Sequence, residues 1–125
     1  MDKDTIYTSY YAQIRNMPED VCPISISRGI PDWYKGDSYT DLAPTFDMIT
    51  LAKTGRYDDY TREYEEEVLE NLDVDEVVEK LQDIAGDKCV CLICYEKPSD
   101  FCHRHLVASW LEDYGYSCEE MTYNS

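Results

Sequence analysis

With 125 residues, 43% of them hydrophobic, the chain is long enough for one real core and too short for two domains. Its formal net charge of −16 excludes general binding to DNA or RNA, which depends on Lys and Arg displacing counterions from phosphates. No apolar run is long enough to span a bilayer, and Met1-Asp2-Lys3-Asp4 lacks the basic-then-apolar pattern of a secretory signal, so the expected location is the cytoplasm.

In chain order, Thr5 to Tyr11 is rich in β-branched and aromatic residues and predicts a first strand. After the turn-like stretch Asn16 to Asp20, Val21 to Ser27 alternates Ile24 and Ile26 with Ser25 and Ser27, a second strand whose Pro23 suits an edge or an unpaired start. Arg28 to Gly36 is a Gly- and Pro-punctuated loop carrying Trp33, Tyr34, Arg28 and Lys35, the kind of segment where binding residues gather on a rigid scaffold. Three helices are predicted next: Pro44 to Thr54 with Gly55 as the stop, Tyr57 to Asn71, and a helix capped by Asp73 that carries Val74, Val77, Val78, Leu81 and Ile84 and ends at Gly86.

The acidic residues of the last two, among them Glu65, Glu66, Glu67, Glu70, Glu76 and Glu79, read as solvated helix faces. The rival reading is an acidic surface that mimics nucleic acid and fills a basic groove on another protein, as a phage anti-defence inhibitor would, with steep salt dependence as its signature.

Lys88 to Tyr95 is apolar on both faces at Val90-Cys91-Leu92-Ile93, which predicts a central parallel strand covered on both sides. A last helix runs from Cys102 to Tyr114 with Leu106, Val107, Trp110 and Leu111 as its buried stripe and Ser99 or Asp100 as its cap. The expected fold is therefore α/β: a small, mainly parallel sheet flanked by helices in a Rossmann-like three-layer arrangement, one domain over residues 1–118 with a flexible tail at 119–125.

The strand-to-helix junction concentrates the chemistry. Cys94 and Glu96 sit at the strand end, and Cys102, His103, Arg104 and His105 fall in the first helical turn, where unpaired backbone N–H groups and the helix dipole favour an anion. Ligands of open α/β sheets bind beyond the carboxyl ends of the strands, and Ser9 to Tyr11, Ser27 to Lys35 and Cys94 to Arg104 all lie there.

Six cysteines without an export signal are expected to be reduced, mostly as small buried side chains. Cys91 and Cys94 with Cys102 and His105 imitate a two-plus-two zinc spacing, but residues three apart on an extended strand point to opposite faces, so no metal and no cofactor is expected. Cys94 or Cys102 as a reactive thiol is a competing use, Cys102 being favoured by the helix N-terminus. The Cys-x5-Arg spacing of phosphatase loops is absent. Arg104 has two readings of equal weight: a fork gripping phosphate or carboxylate, or a clamp paired with Glu96 or Asp100.

Ser25 to Gly36, Leu42-Ala43-Pro44, Leu92-Ile93-Cys94-Tyr95-Glu96 and Phe101-Cys102-His103-Arg104, taken together, resemble the domain of unknown function 488 family across nearly the whole chain. That resemblance implies a single α/β domain with these motifs around a common pocket, and it supplies no reaction.

The resulting expectation is a domain that binds, and processes or sequesters, a nucleotide-derived or other phosphate-bearing small molecule. Its ligand residues are Ser9, Tyr10, Ser27, Arg28, Trp33, Lys35, Cys94, Glu96, Cys102, His103 and Arg104. Glu96, His103 and Cys102 are the candidates for catalysis, with Glu96 or His103 as acid/base and Arg104 as charge stabiliser. A small anionic ligand is the expected partner, neither nucleic acid nor membrane is, and a homodimer is compatible with these features.

Overall fold

The computed structural model describes residues 2–96 and 100–123. Its strands are β1 (Thr5–Tyr10), β2 (Val21–Ser25), β3 (Asp37–Ser38), β4 (Cys89–Cys94) and β5 (Ser117–Glu120). Its helices are α1 (Phe46–Lys53), α2 (Tyr57–Glu67), α3 (Val74–Ala85) and α4 (His103–Asp113), with 3₁₀ turns at Tyr11–Asn16, Thr40–Leu42 and Leu69–Asn71. The strands form one all-parallel sheet in the order β3-β2-β4-β1-β5. Among the described residues no helix is long and apolar enough to cross a membrane.

The central strand is the doubly apolar one. All six residues of β4 are buried, and their alternation builds two separate cores. Val90 and Leu92 face the helices beside Ile6, Ile24, Met48, Tyr64, Leu81, Val107 and Leu111. Cys89, Cys91 and Ile93 face the other way, beside Tyr7, Tyr11, Val21, Tyr34 and Met121. All four α-helices contribute to the first core, while the second is covered by the 3₁₀ turn after β1, the Tyr34 loop and the C-terminal segment. Ten residues separate β1 from β2, too few for a helical crossover, so this third layer is thin.

Local signals set most element ends. Thr45 caps α1 by accepting from Met48 N–H, Asp73 caps α3 by accepting from Asp75 and Glu76 N–H, and Gly86 stops α3 with a φ of 65° that side-chain-bearing residues rarely adopt. The predicted helix from Tyr57 to Asn71 is shorter: α2 ends at Glu67 and a 3₁₀ turn follows, which turns the chain toward α3. The acidic side chains from Glu65 to Glu79 are exposed, as solvated helix faces are.

Two expectations need correction, and one strand went unpredicted. Residues 119–123 are not a free tail: Ser117–Glu120 pairs with β1, Met121 is buried, and Tyr123 hydrogen-bonds to Ser9. An edge strand with one wet face needs no apolar alternation, so Ser117-Cys118-Glu119-Glu120 carries no sequence signal. The two-residue β3 at the other edge escapes notice for the same reason. The N-cap of α4 is Cys102 rather than Asp100, and its side chain makes no capping hydrogen bond. The alternative cap Ser99 and the tail residues Asn124 and Ser125 lie outside the described residues.

Parallel pairing brings the strand ends level. Tyr10 lies opposite Cys94 and Ser25 opposite Ile93, so the loops after β1, β2 and β4 open on the same edge.

Candidate functional site at the strand ends

At that edge the chain after β4 turns back so that the start of α4 rests against the strand it has just left. The sulfurs of Cys94, the last residue of β4, and Cys102, the N-cap of α4, are joined in a disulfide. This corrects the expectation that all six cysteines are thiols; Cys22, Cys89, Cys91 and Cys118 are free. The start of α4 brings two cysteines eight apart in sequence side by side.

His103 follows directly and is buried. Its Nε2 lies 2.6 Å from the carbonyl oxygen of Ile26, just beyond β2. A carbonyl only accepts, so Nε2 carries the proton and Nδ1 keeps a lone pair, 3.9 Å from Cys102 Sγ. Burial pushes the His103 imidazolium pKa down to about 4, with Arg104 and His105 adding to the effect, while the Ile26 carbonyl opposes it. The ring is neutral at physiological pH.

Arg104 is fully buried and turned away from solvent. Its Nε and one terminal nitrogen each donate to a carboxylate oxygen of Glu120 at 3.1 Å, and its other terminal nitrogen donates to Cys94 Sγ at 3.0 Å and to the carbonyl of Glu96. The guanidinium also stands 5.7 Å above the Tyr10 ring. Of its two sequence readings the geometry matches the clamp, with Glu120 in place of Glu96 or Asp100.

Beside this clamp opens a cleft of about 470 Å³. Six predicted site residues line it: Ser27, Arg28, Cys94, Glu96, Cys102 and His103. Arg28 spends its Nε on the Pro44 carbonyl at 2.9 Å, which fixes the loop to the entrance of α1. Ser27 donates to the Gly29 carbonyl and is joined through the Tyr11 hydroxyl to Ser25 beneath it.

Five others stand elsewhere. Ser9 is buried on the opposite sheet face against the Tyr123 hydroxyl, and Arg104 and Tyr10 stack on each other behind the cleft. Trp33 is 58% exposed and packs edge-on against Tyr11 on the thin layer, and Lys35 is exposed. Strand parity explains the loss of Ser9: it points opposite to Tyr10 and Cys94.

The cleft also has walls beyond the predicted ligand residues. Lys53 from the last turn of α1, Tyr57 and Tyr60 from α2, and Tyr95, Asp100 and Phe101 from the β4–α4 connection all line it. Phe101 packs against both Tyr57 and Tyr60, with ring centroids 4.6 and 5.0 Å apart. Tyr57 and Tyr60, three apart, signalled only a helix face; nothing local marks that the face ends at a cavity.

The imitated zinc quartet does not assemble, because Cys91 lies in the opposite core. Among the described residues the one group of side chains able to share a metal is Cys94, Cys102 and His103, whose ligand atoms lie within 4.8 Å of one another. Two of these atoms are the bonded sulfurs, and the thiolate, not a disulfide sulfur, is the strong metal ligand.

A family model described as DUF488-N3a, the active DUF488-N3 subclade, matches residues 7–115. The chain belongs to the DUF488 family. The match runs from β1 through the end of α4, so it takes in every cleft residue named above and stops before Glu120. Neither a curated protein nor a solved structure matches the chain.

Proposed function

We propose that the protein binds and processes a phosphate-bearing, nucleotide-derived small molecule in the cleft at the strand ends, acting in the cytoplasm. The observation that carries the proposal is the convergence on one cavity of two cations, Arg28 and Lys53, an aromatic wall of Tyr57, Tyr60 and Phe101, and the titratable pair Glu96 and His103. Cations hold phosphate, rings stack on a base, and an acid/base pair beside them supplies proton transfer. The position beyond the carboxyl ends of a parallel sheet is where α/β domains take their ligands.

Roles follow from what each side chain has left to give. Arg104 donates to Glu120, Cys94 and Glu96, so charge stabilisation passes from it to Arg28 and Lys53. His103 offers an unprotonated Nδ1 at neutral pH, and Glu96 offers a carboxylate on the open side. The word "active" in the description of the matching subclade accords with a chemical role.

The test begins with mass spectrometry of small molecules released when the purified protein is denatured. A phosphate-bearing compound is expected, and isothermal titration of the protein with it gives the affinity. Glu96→Gln should then abolish turnover at unchanged affinity. Release of nothing, together with no heat from a panel of nucleoside monophosphates, would refute the proposal.

A further inference from the structure

Two sulfurs on the cleft wall have chemistry that ligand binding does not use. Cys94 and Cys102 both line the cleft and are bonded to each other. We propose that they form a thiol–disulfide redox couple, in which Cys102 exchanges with low-molecular-weight disulfides entering the cleft and Cys94 resolves the mixed disulfide. The proposal does not depend on the phosphate-bearing ligand.

The surroundings of the two sulfurs differ in the way such a couple requires. Cys102 heads α4, an eleven-residue helix whose N-terminal dipole favours a thiolate, and the lone pair of His103 Nδ1 faces its sulfur at 3.9 Å. That lone pair can accept the S–H of reduced Cys102. Cys94 has the Arg104 guanidinium 3.0 Å from its sulfur, a fixed positive charge that stabilises the thiolate formed when the bridge opens.

The other cysteines lack these features. Burial pushes the Cys22 thiol up to about 11, Cys118 up to about 12 and Cys91 higher still. Unlike Cys94 and Cys102, none of them lines the cleft. A purely structural bridge is the weaker account, because closing so short a connection constrains the unfolded chain less than a long-range bridge does.

The chemistry balances as a two-electron exchange. The Cys102 thiolate attacks one sulfur of a small disulfide RSSR, forming Cys102–S–S–R and expelling RS⁻. The Cys94 thiolate then attacks Cys102 Sγ, forming the Cys94–Cys102 bond and expelling the second RS⁻. The two protons given up by the cysteines go to the two departing thiolates, so dithiol and RSSR become disulfide and two RSH. Reduction is the reverse, with Cys94 as the leaving thiolate beside Arg104.

The test equilibrates the full chain in glutathione buffers of stepped oxidised-to-reduced ratio, quenches with acid, alkylates free thiols and maps them by peptide mass. One two-electron transition confined to Cys94 and Cys102 is expected, with Cys94→Ser accumulating a single glutathione on Cys102. Three results would overturn the proposal: a bridge that persists in excess dithiothreitol while the protein stays folded, a pair that stays reduced in every buffer, or a stoichiometric metal held by the reduced pair that blocks exchange. If Cys94→Ser does not fold, the transition of the parent protein decides the question alone.

Discussion

Arg104 on α4 and Glu120 on β5 form a two-pronged ion pair, nitrogen to oxygen at 3.1 Å on both prongs, with the arginine wholly removed from solvent. Thr8 of β1 donates to the same carboxylate at 2.8 Å, so one buried guanidinium links the last helix to the last strand and, through Cys94 and Glu96, to the end of the central strand. The cleft keeps its shape because this post stands behind it. A buried charge with each of its nitrogens engaged is tolerated, whereas the same charge with a partner removed is not.

Truncation of that post should therefore unfold the protein more readily than it empties the cleft. Arg104→Ala is expected to lower stability by about 3–5 kcal/mol, since it empties a fully buried site, leaves the Glu96 carbonyl without its side-chain donor and leaves the Glu120 carboxylate with Thr8 but without its counter-charge. Arg104→Lys should recover only part, because one ammonium cannot serve two carboxylate oxygens, a sulfur and a carbonyl at once. Urea unfolding of the three proteins measures this; an Arg104→Ala midpoint equal to the parent's would show the pair to be energetically idle.

His103 should make the fold acid-sensitive in a defined window. Its pKa falls from 6.5 in the unfolded chain to about 4 in the folded one, so below pH 6.5 the unfolded state binds a proton that the folded state refuses. The stability that this provides is complete above pH 6.5 and is lost as pH falls toward 4, by about 3 kcal/mol over the whole window. His103→Gln keeps an amide donor for the Ile26 carbonyl and removes the titration. Denaturant melts at pH 7, 6, 5 and 4 should show the parent falling more steeply than the variant; parallel curves would contradict the assignment.

The Tyr11 hydroxyl touches the Oγ atoms of both Ser25 and Ser27 at 2.5 Å in a buried site below the cleft floor. Tyr11→Phe keeps the ring contacts with Tyr34 and Tyr95 and deletes the bridge. A loss of about 1–3 kcal/mol is expected from the hydroxyls left unsatisfied. A thermal melt within experimental error of the parent would indicate that the serines re-pair with each other, being 3.3 Å apart already.

Arg28 should behave in the opposite way to Arg104. It is exposed, and among the described residues its hydrogen bond runs to the Pro44 carbonyl, so Arg28→Ala should leave the melt almost unchanged. Loss of a charge-assisted contact of about 1.5–3 kcal/mol corresponds to roughly ten- to hundredfold weaker binding of the phosphate-bearing compound. Isothermal titration reads this directly, and unchanged affinity would remove Arg28 from the ligand site.

What the amino-acid sequence determined by itself is everything carried by short-range pattern. The apolar run of β4 could only be a strand covered on both faces, Asp73 and Gly86 mark the ends of α3, and Cys94, Glu96, Cys102 and His103 belong to one strand-to-helix junction that lines a cleft. Tertiary structure decided whatever depends on which distant segment arrives as a neighbour. Glu120 reached Arg104 only because Gly115, with a φ of 91°, turns the chain back so that a polar edge strand can pair with β1. Lys53, Tyr57 and Tyr60 became cleft walls only because α1 and α2 pack over the strand ends. The physical reason is common to these cases: periodicity records which face of an element is buried, but a charge or a ring acquires its role from a partner whose approach no local pattern encodes.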